Sequence, residues 1–164
     1  MTESAFRGAF GHQHGDPRGL LERIQAQLRE RIQEAVEMAG LGLMVELRRH
    51  HGRPAPDTDS AADRTEFEEI SRALLAHLRA AFRAELGADQ RAALERVETA
   101  AGKSESLLAG QVLLARELPD YWQRFETYRA GYAQACLEAP PPRGGWLSRL
   151  LGGDHAARKA DSDG

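Results

Sequence analysis

Apolar side chains recur at steps of three and four along most of this chain, and the first long run sets the pattern. Leu21, Ile24, Leu28, Ile32, Val36, Ala39, Leu43 and Leu47 form one stripe, the period of an amphipathic helix. Asp16 suits its cap and Pro17 its first position, so the spacing predicts a helix from about Pro17 to about His50. Gly40 and Gly42 weaken it locally and mark a place for a kink. Gly52, Pro54 and Pro56 end it, and residues 54–59 (PAPDTD) form a loop.

Ser60 and Asp63 make a loose capping pair, and an acid-rich first turn suits the dipole of the next helix. Phe67, Ile70, Leu74, Leu78, Phe82 and Leu86 mark its buried face, with Gly87 as the expected stop. A shorter helix runs from about Asp89 to Ala101, stopped by Gly102. The last long segment starts near Ser104 and continues through Tyr121, Trp122, Phe125, Tyr128 and Tyr132 to about Leu137. Pro119 kinks or splits it, because proline removes a donor and crowds the preceding turn. No strand-like alternation of useful length occurs. The fold class is therefore all-α: an antiparallel helical bundle of about four helices over residues 17–138, with flexible tails at both ends.

The run Met38–Val45 is eight residues without a charge and apolar nearly all round. Such a segment needs more neighbours than a surface helix has. Gly40, Leu41, Leu43, Met44 and Val45 are thus the expected interface of a homo-oligomer or an obligate partner; a central helix buried in its own bundle is the other reading.

After the bundle, residues 139–145 (APPPRGG) make a stiff linker. Trp146, Leu147, Leu150 and Leu151 then share one face of a short amphipathic helix over 146–152, followed by a polar tail, 153–164. Arg143 and Arg149 lend it positive charge. So short a helix is marginal alone in water. Its apolar face fits three seats: a groove in a protein partner, a membrane surface with anionic headgroups, or the bundle itself.

Composition adds exclusions. Apolar residues are 41% and charged residues 29%, an ordinary globular balance. A net charge of −3 and a pI near 6.1 offer no basic excess, so nucleic acid is not an expected partner. The eight-residue apolar run falls well short of the ~20 needed to span a bilayer. The N-terminal residues lack the apolar core of a signal peptide, and the one cysteine, Cys136, precludes a disulfide framework. These features point to a cytoplasmic protein, with the inner face of a membrane as a second location reached through the C-terminal helix.

Candidate chemistry is sparse. A ferritin-like centre wants Glu-x-x-His, yet Leu47, Arg48 and Leu74 stand three residues before His50, His51 and His77. His50 and His51 are adjacent and point about 100° apart on a helix, a poor geometry for sharing one ion. No metal, cofactor or catalytic residue is expected. Tyr121 to Tyr132 read as core rather than a ligand pocket, and Cys136 as a small buried side chain. The stretch Ala76-His77-Leu78-Arg79 resembles the phosphoryl-accepting helix of histidine phosphotransfer domains over about four residues. Those domains carry Lys-Gly shortly after the histidine, where this chain has Ala80 and Ala81 beyond Arg79. The expected function is a non-enzymatic adaptor, scaffold or accessory subunit that assembles through its bundle and docks through its C-terminal helix. The alternative is a signalling domain that transfers phosphate at His77 or binds a small ligand.

Overall fold

A computed structural model describes residues 16–139. The expected docking residues Arg143, Trp146, Leu147, Arg149, Leu150 and Leu151 lie outside the described residues, as does the chain up to residue 15. Five helices and no strand occur among those described: α1 (Pro17–His50), α2 (Ala61–Glu85), α3 (Ala88–Ala101), α4 (Ser106–Glu117) and α5 (Tyr121–Glu138). About four were expected, the last kinked or split at Pro119; here Leu118-Pro119-Asp120 separates α4 from α5. Leu118 is extended (φ −100°, ψ 116°), the conformation that a following proline favours.

Local signals explain most boundaries. Asp16 is extended and its Oδ1 accepts the Arg18 N–H at 3.0 Å, which places Pro17 at the first helical position. Arg48 and Arg49 occupy the last turn of α1, where cations face the negative end of the dipole. α1 continues through Gly40 and Gly42 without interruption. Ser60 Oγ accepts the Asp63 N–H at 3.3 Å and caps α2. Gly87 does not stop α2, as expected, in a left-handed conformation. The chain leaves the helix at Leu86, which is extended and buried in the core, while Gly87 (φ −72°) caps α3. Its N–H donates to Gln90 Oε1 at 3.1 Å. Gly102, at φ +81°, does take a backbone that other residues avoid.

Ile32 and Val36 of α1 meet Leu74, Leu78 and Phe82 of α2, Leu94 of α3, Leu114 of α4, and Tyr121 and Phe125 of α5. The Phe82 ring stacks on Tyr121 with centroids 5.1 Å apart. The buried Tyr121 hydroxyl donates to Gln111 Oε1 at 2.7 Å, so neither buried polar side chain is left without a partner. A second cluster (Leu43, Met44, Leu47 and Ile70) extends the core towards the end of α1, where Ala133, Cys136 and Leu137 of α5 cover it.

α1 and α2 form an antiparallel hairpin. Gly40 sits so close to α2 that a Cβ there would lie 2.6 Å from Ser71 Oγ. Two turns on, Arg48 is only 4% exposed. Its Nη2 donates to Asp63 Oδ1 at 2.7 Å and to Glu66 Oε2 at 2.5 Å, and Nη1 reaches the Pro54 carbonyl at 3.4 Å. Arg53 adds a longer contact to Glu66, 3.3 Å. This charged cluster ties the interhelical loop to both helices. The guanidinium holds the Asp63 carboxyl below the usual carboxylate range.

Candidate interaction surface

α1 carries two apolar faces. Its inward row (Ile32, Val36, Gly40, Leu43 and Leu47) is buried in the chain's own core. At 100° per residue, a second row centres roughly 180° away from it. Met38 on that row is 76% exposed, and Leu20, Ile24, Leu41 and Val45 are between 38% and 49% exposed. With Leu21, these are all the large exposed hydrophobic side chains among the described residues, and all lie on α1. Leu21 is off that row, about 60° from the inward one, and is 57% exposed among the described residues.

This geometry divides the interface residues expected from sequence. Gly40, Leu43 and Met44 are consumed within the chain, Gly40 by contact with Ser71 and the two side chains by the second core cluster. Leu41 and Val45 face outward. The contiguous run 38–45 is therefore not one surface; helical rotation sends alternate parts of it to opposite sides.

Beside the outward row, α1 and α5 frame an open groove of about 710 Å³. Ala35, Ala39, Leu43, Phe125 and Ala133 give it an apolar floor, and Arg31, Glu46, Glu126 and Arg129 a charged rim. The Arg31 guanidinium carbon lies 4.3 Å from the centroid of Trp122, a cation–π contact that links the two helices at the rim. Glu126 pairs with Arg129 and Glu46 with Arg49.

The residues read for chemistry are placed as follows. His77 is half-buried, and its ring stacks on Tyr132 at 4.5 Å with 24° between planes. Burial pushes its pKa down, favouring the neutral ring. Burial also pushes the Cys136 thiol up, away from the reactive thiolate. The rings of His50 and His51 meet edge to face at 5.2 Å. No group of three or more His, Cys, Asp or Glu with metal-holding geometry occurs among the described residues. Tyr121 and Phe125 are core, whereas Trp122, Tyr128 and Tyr132 are partly buried against it. No described helix is long and apolar enough to cross a membrane.

Two features escaped the sequence reading. The burial of Arg48 went unforeseen, although the acids that bury it, Asp63 and Glu66, stand three apart on the facing helix. The outward row of α1 also went unread, because Gln27, Arg31 and Glu34 interrupt its apolar positions. Comparison with protein-family models, with curated proteins and with solved structures gives no match, so a function must be argued from this chain's own surface.

Proposed function

We propose that the chain is a non-enzymatic adaptor, scaffold or accessory subunit. In this reading an antiparallel helical bundle assembles through the outer face of α1, and the Pro-tethered segment carrying Trp146, Leu147, Leu150 and Leu151 attaches the assembly to a protein partner or a membrane surface. One observation carries it: the large hydrophobic side chains that the described fold leaves in water are gathered on one helix, mostly opposite that helix's buried face. Apolar exposure gathered on one helix face, here in two stretches parted by Gln27, Arg31 and Glu34, points to an interaction site more than singly scattered residues do. A phosphotransfer role draws less support, since His77 is half-buried and packed on Tyr132, whereas a phosphoryl-accepting nitrogen must be reachable by a donor.

The test is affinity capture from detergent-solubilised lysate of the source cells. It compares the intact chain, a chain ending after Pro142, and the Met38→Glu/Leu41→Glu variant. Bound proteins are identified by mass spectrometry and bound lipid is assayed. Loss of a partner or of lipid with either alteration supports the reading. Equal recovery by all three would leave neither surface an attachment role and refute it.

A further inference from the structure

We propose that the outer face of α1 docks a second copy of this chain, antiparallel, about a two-fold axis between Ile32 and Gln33. The proposal rests on the assembling-bundle reading above and specifies its partner and register.

A row stepping alternately by four and three residues reads the same in both directions, so two antiparallel copies can match it position for position. In the register proposed, Leu20 lies opposite the second copy's Val45, Ile24 opposite Leu41, Gln27 opposite Met38, and Arg31 opposite Glu34. All eight positions are exposed in the single chain. Apolar ends meet apolar ends over about 38 Å of helix. Each Arg31 meets a Glu34, twice, next to the axis.

Other registers do worse on the same residues. Sliding one heptad in one direction sets Arg31 on Leu41 and Glu34 on Met38, desolvating charges against apolar groups. Sliding in the other sets Ile24 on Glu34 and leaves Leu41 and Val45 uncovered. A parallel pair in register puts Arg31 on Arg31 and Glu34 on Glu34, and like charges in contact are destabilising. Among the described residues Glu34 makes no ion pair, and Arg31 makes none besides its stacking on Trp122. A guanidinium held over a ring still has N–H groups to donate to a carboxylate.

The experiment uses the full chain in analytical ultracentrifugation, as wild type, Arg31→Glu, Glu34→Arg and an equimolar mixture of the two variants. The wild type should show a concentration-dependent monomer–dimer equilibrium. Each variant alone faces like charges across the axis and should self-associate at least about tenfold more weakly. The mixture restores both pairs and should dimerise almost as well as wild type. Glu34→Arg leaves the Trp122 contact untouched, and circular dichroism establishes that every variant is folded. Register is read separately in a Cys136→Ala background. Ile24→Cys mixed with Leu41→Cys should cross-link, whereas either alone should not, because the axis sets like positions about 25 Å apart.

A wild type that stays monomeric up to about 300 μM overturns the proposal, since weak pairing would be visible there. Single variants that associate like wild type, a mixture that recovers nothing, or cross-linking of Ile24→Cys with itself overturn it as well. A monomer that still captures a partner through Met38 and Leu41 would sink the self-docking proposal and leave the adaptor reading intact. A dimer whose altered chains lose no captured partner or lipid does the reverse.

Discussion

Replacing Arg48 with alanine tests whether the charged cluster between α1 and α2 holds the hairpin together. Arg48 makes two short charge-assisted hydrogen bonds, to Asp63 and Glu66, each contributing about 1.5–3 kcal/mol. Its Nε is buried with no partner among the described residues, which costs about 1–3 kcal/mol. The alanine variant leaves Glu66 as a buried carboxylate facing only the longer contact to Arg53. Breaking one side of a buried pair costs about 3–5 kcal/mol, and the unpaired Nε puts this case at the low end, about 3 kcal/mol. For a domain this size, that lowers the melting temperature by roughly 12 °C. Chemical denaturation followed by circular dichroism measures the loss directly. Acid sharpens the test. The Asp63 carboxyl is held below its ordinary value of 3.8 by Arg48, so its contribution is fully present above that pH and disappears as pH falls through the depressed folded value. The gap between wild type and variant should therefore be widest near neutrality and narrow in acid. The Arg48→Met/Glu66→Leu double variant, which removes both buried charges, should recover most of the loss. A loss below about 1 kcal/mol for Arg48→Ala, the scale of a surface pair, would refute the clamp.

Two further outcomes follow from local geometry. A Cβ on Gly42 would meet nothing within 4 Å, so Gly42→Ala should gain helix propensity alone, raising stability by about 0.5–1 kcal/mol; a drop in the calorimetric melting temperature would show that the groove beside α5 is tighter than described. Cys136 should react with iodoacetamide more slowly at neutral pH than a cysteine in a short peptide, and keep accelerating at pH values where the peptide has levelled off, because burial raises its pKa. Equal rates in buffer would contradict that burial, whereas equal rates in urea are expected.

Helix positions were legible where sequence and local physics agree. Asp16 with Pro17, Ser60 with Asp63, and the long apolar stripes fix α1 and α2 without help from tertiary contacts. Gly87 shows the limit: a glycine between two helices reads equally as the end of one or the start of the next, and the burial of Leu86 decides. The same holds for the surface. Leu21 and Ile24 look like core positions, yet helical rotation turns Ile24 onto the outward row, and Leu21 lies well before Ile32, the first buried position of α1. Reading 38–45 as one apolar block missed the rotation that buries Gly40, Leu43 and Met44 while turning Met38, Leu41 and Val45 outward.

Two faces on one helix separate folding from association. The inward row contributes to the stability of the single chain, whereas the outward row contributes little until something covers it. Five outward side chains per copy, already half covered on average, each gain about 1 kcal/mol on full burial. Two copies thus supply about 10 kcal/mol, and the two Arg31–Glu34 pairs add no more than about 1 kcal/mol each. Against this stands an association cost of at least about 4 kcal/mol. At that cost about 6 to 8 kcal/mol remains, a dissociation constant of roughly 1 to 40 μM. A pair of that strength forms and separates with local concentration. Its consequence for attachment is quantitative: pairing carries two copies of the Trp146–Leu151 segment together, so a contact too weak to hold alone gains from being doubled. If that segment anchors as proposed, weak self-docking and a weak C-terminal contact reinforce each other, and cutting either should weaken recruitment by more than its own contact energy.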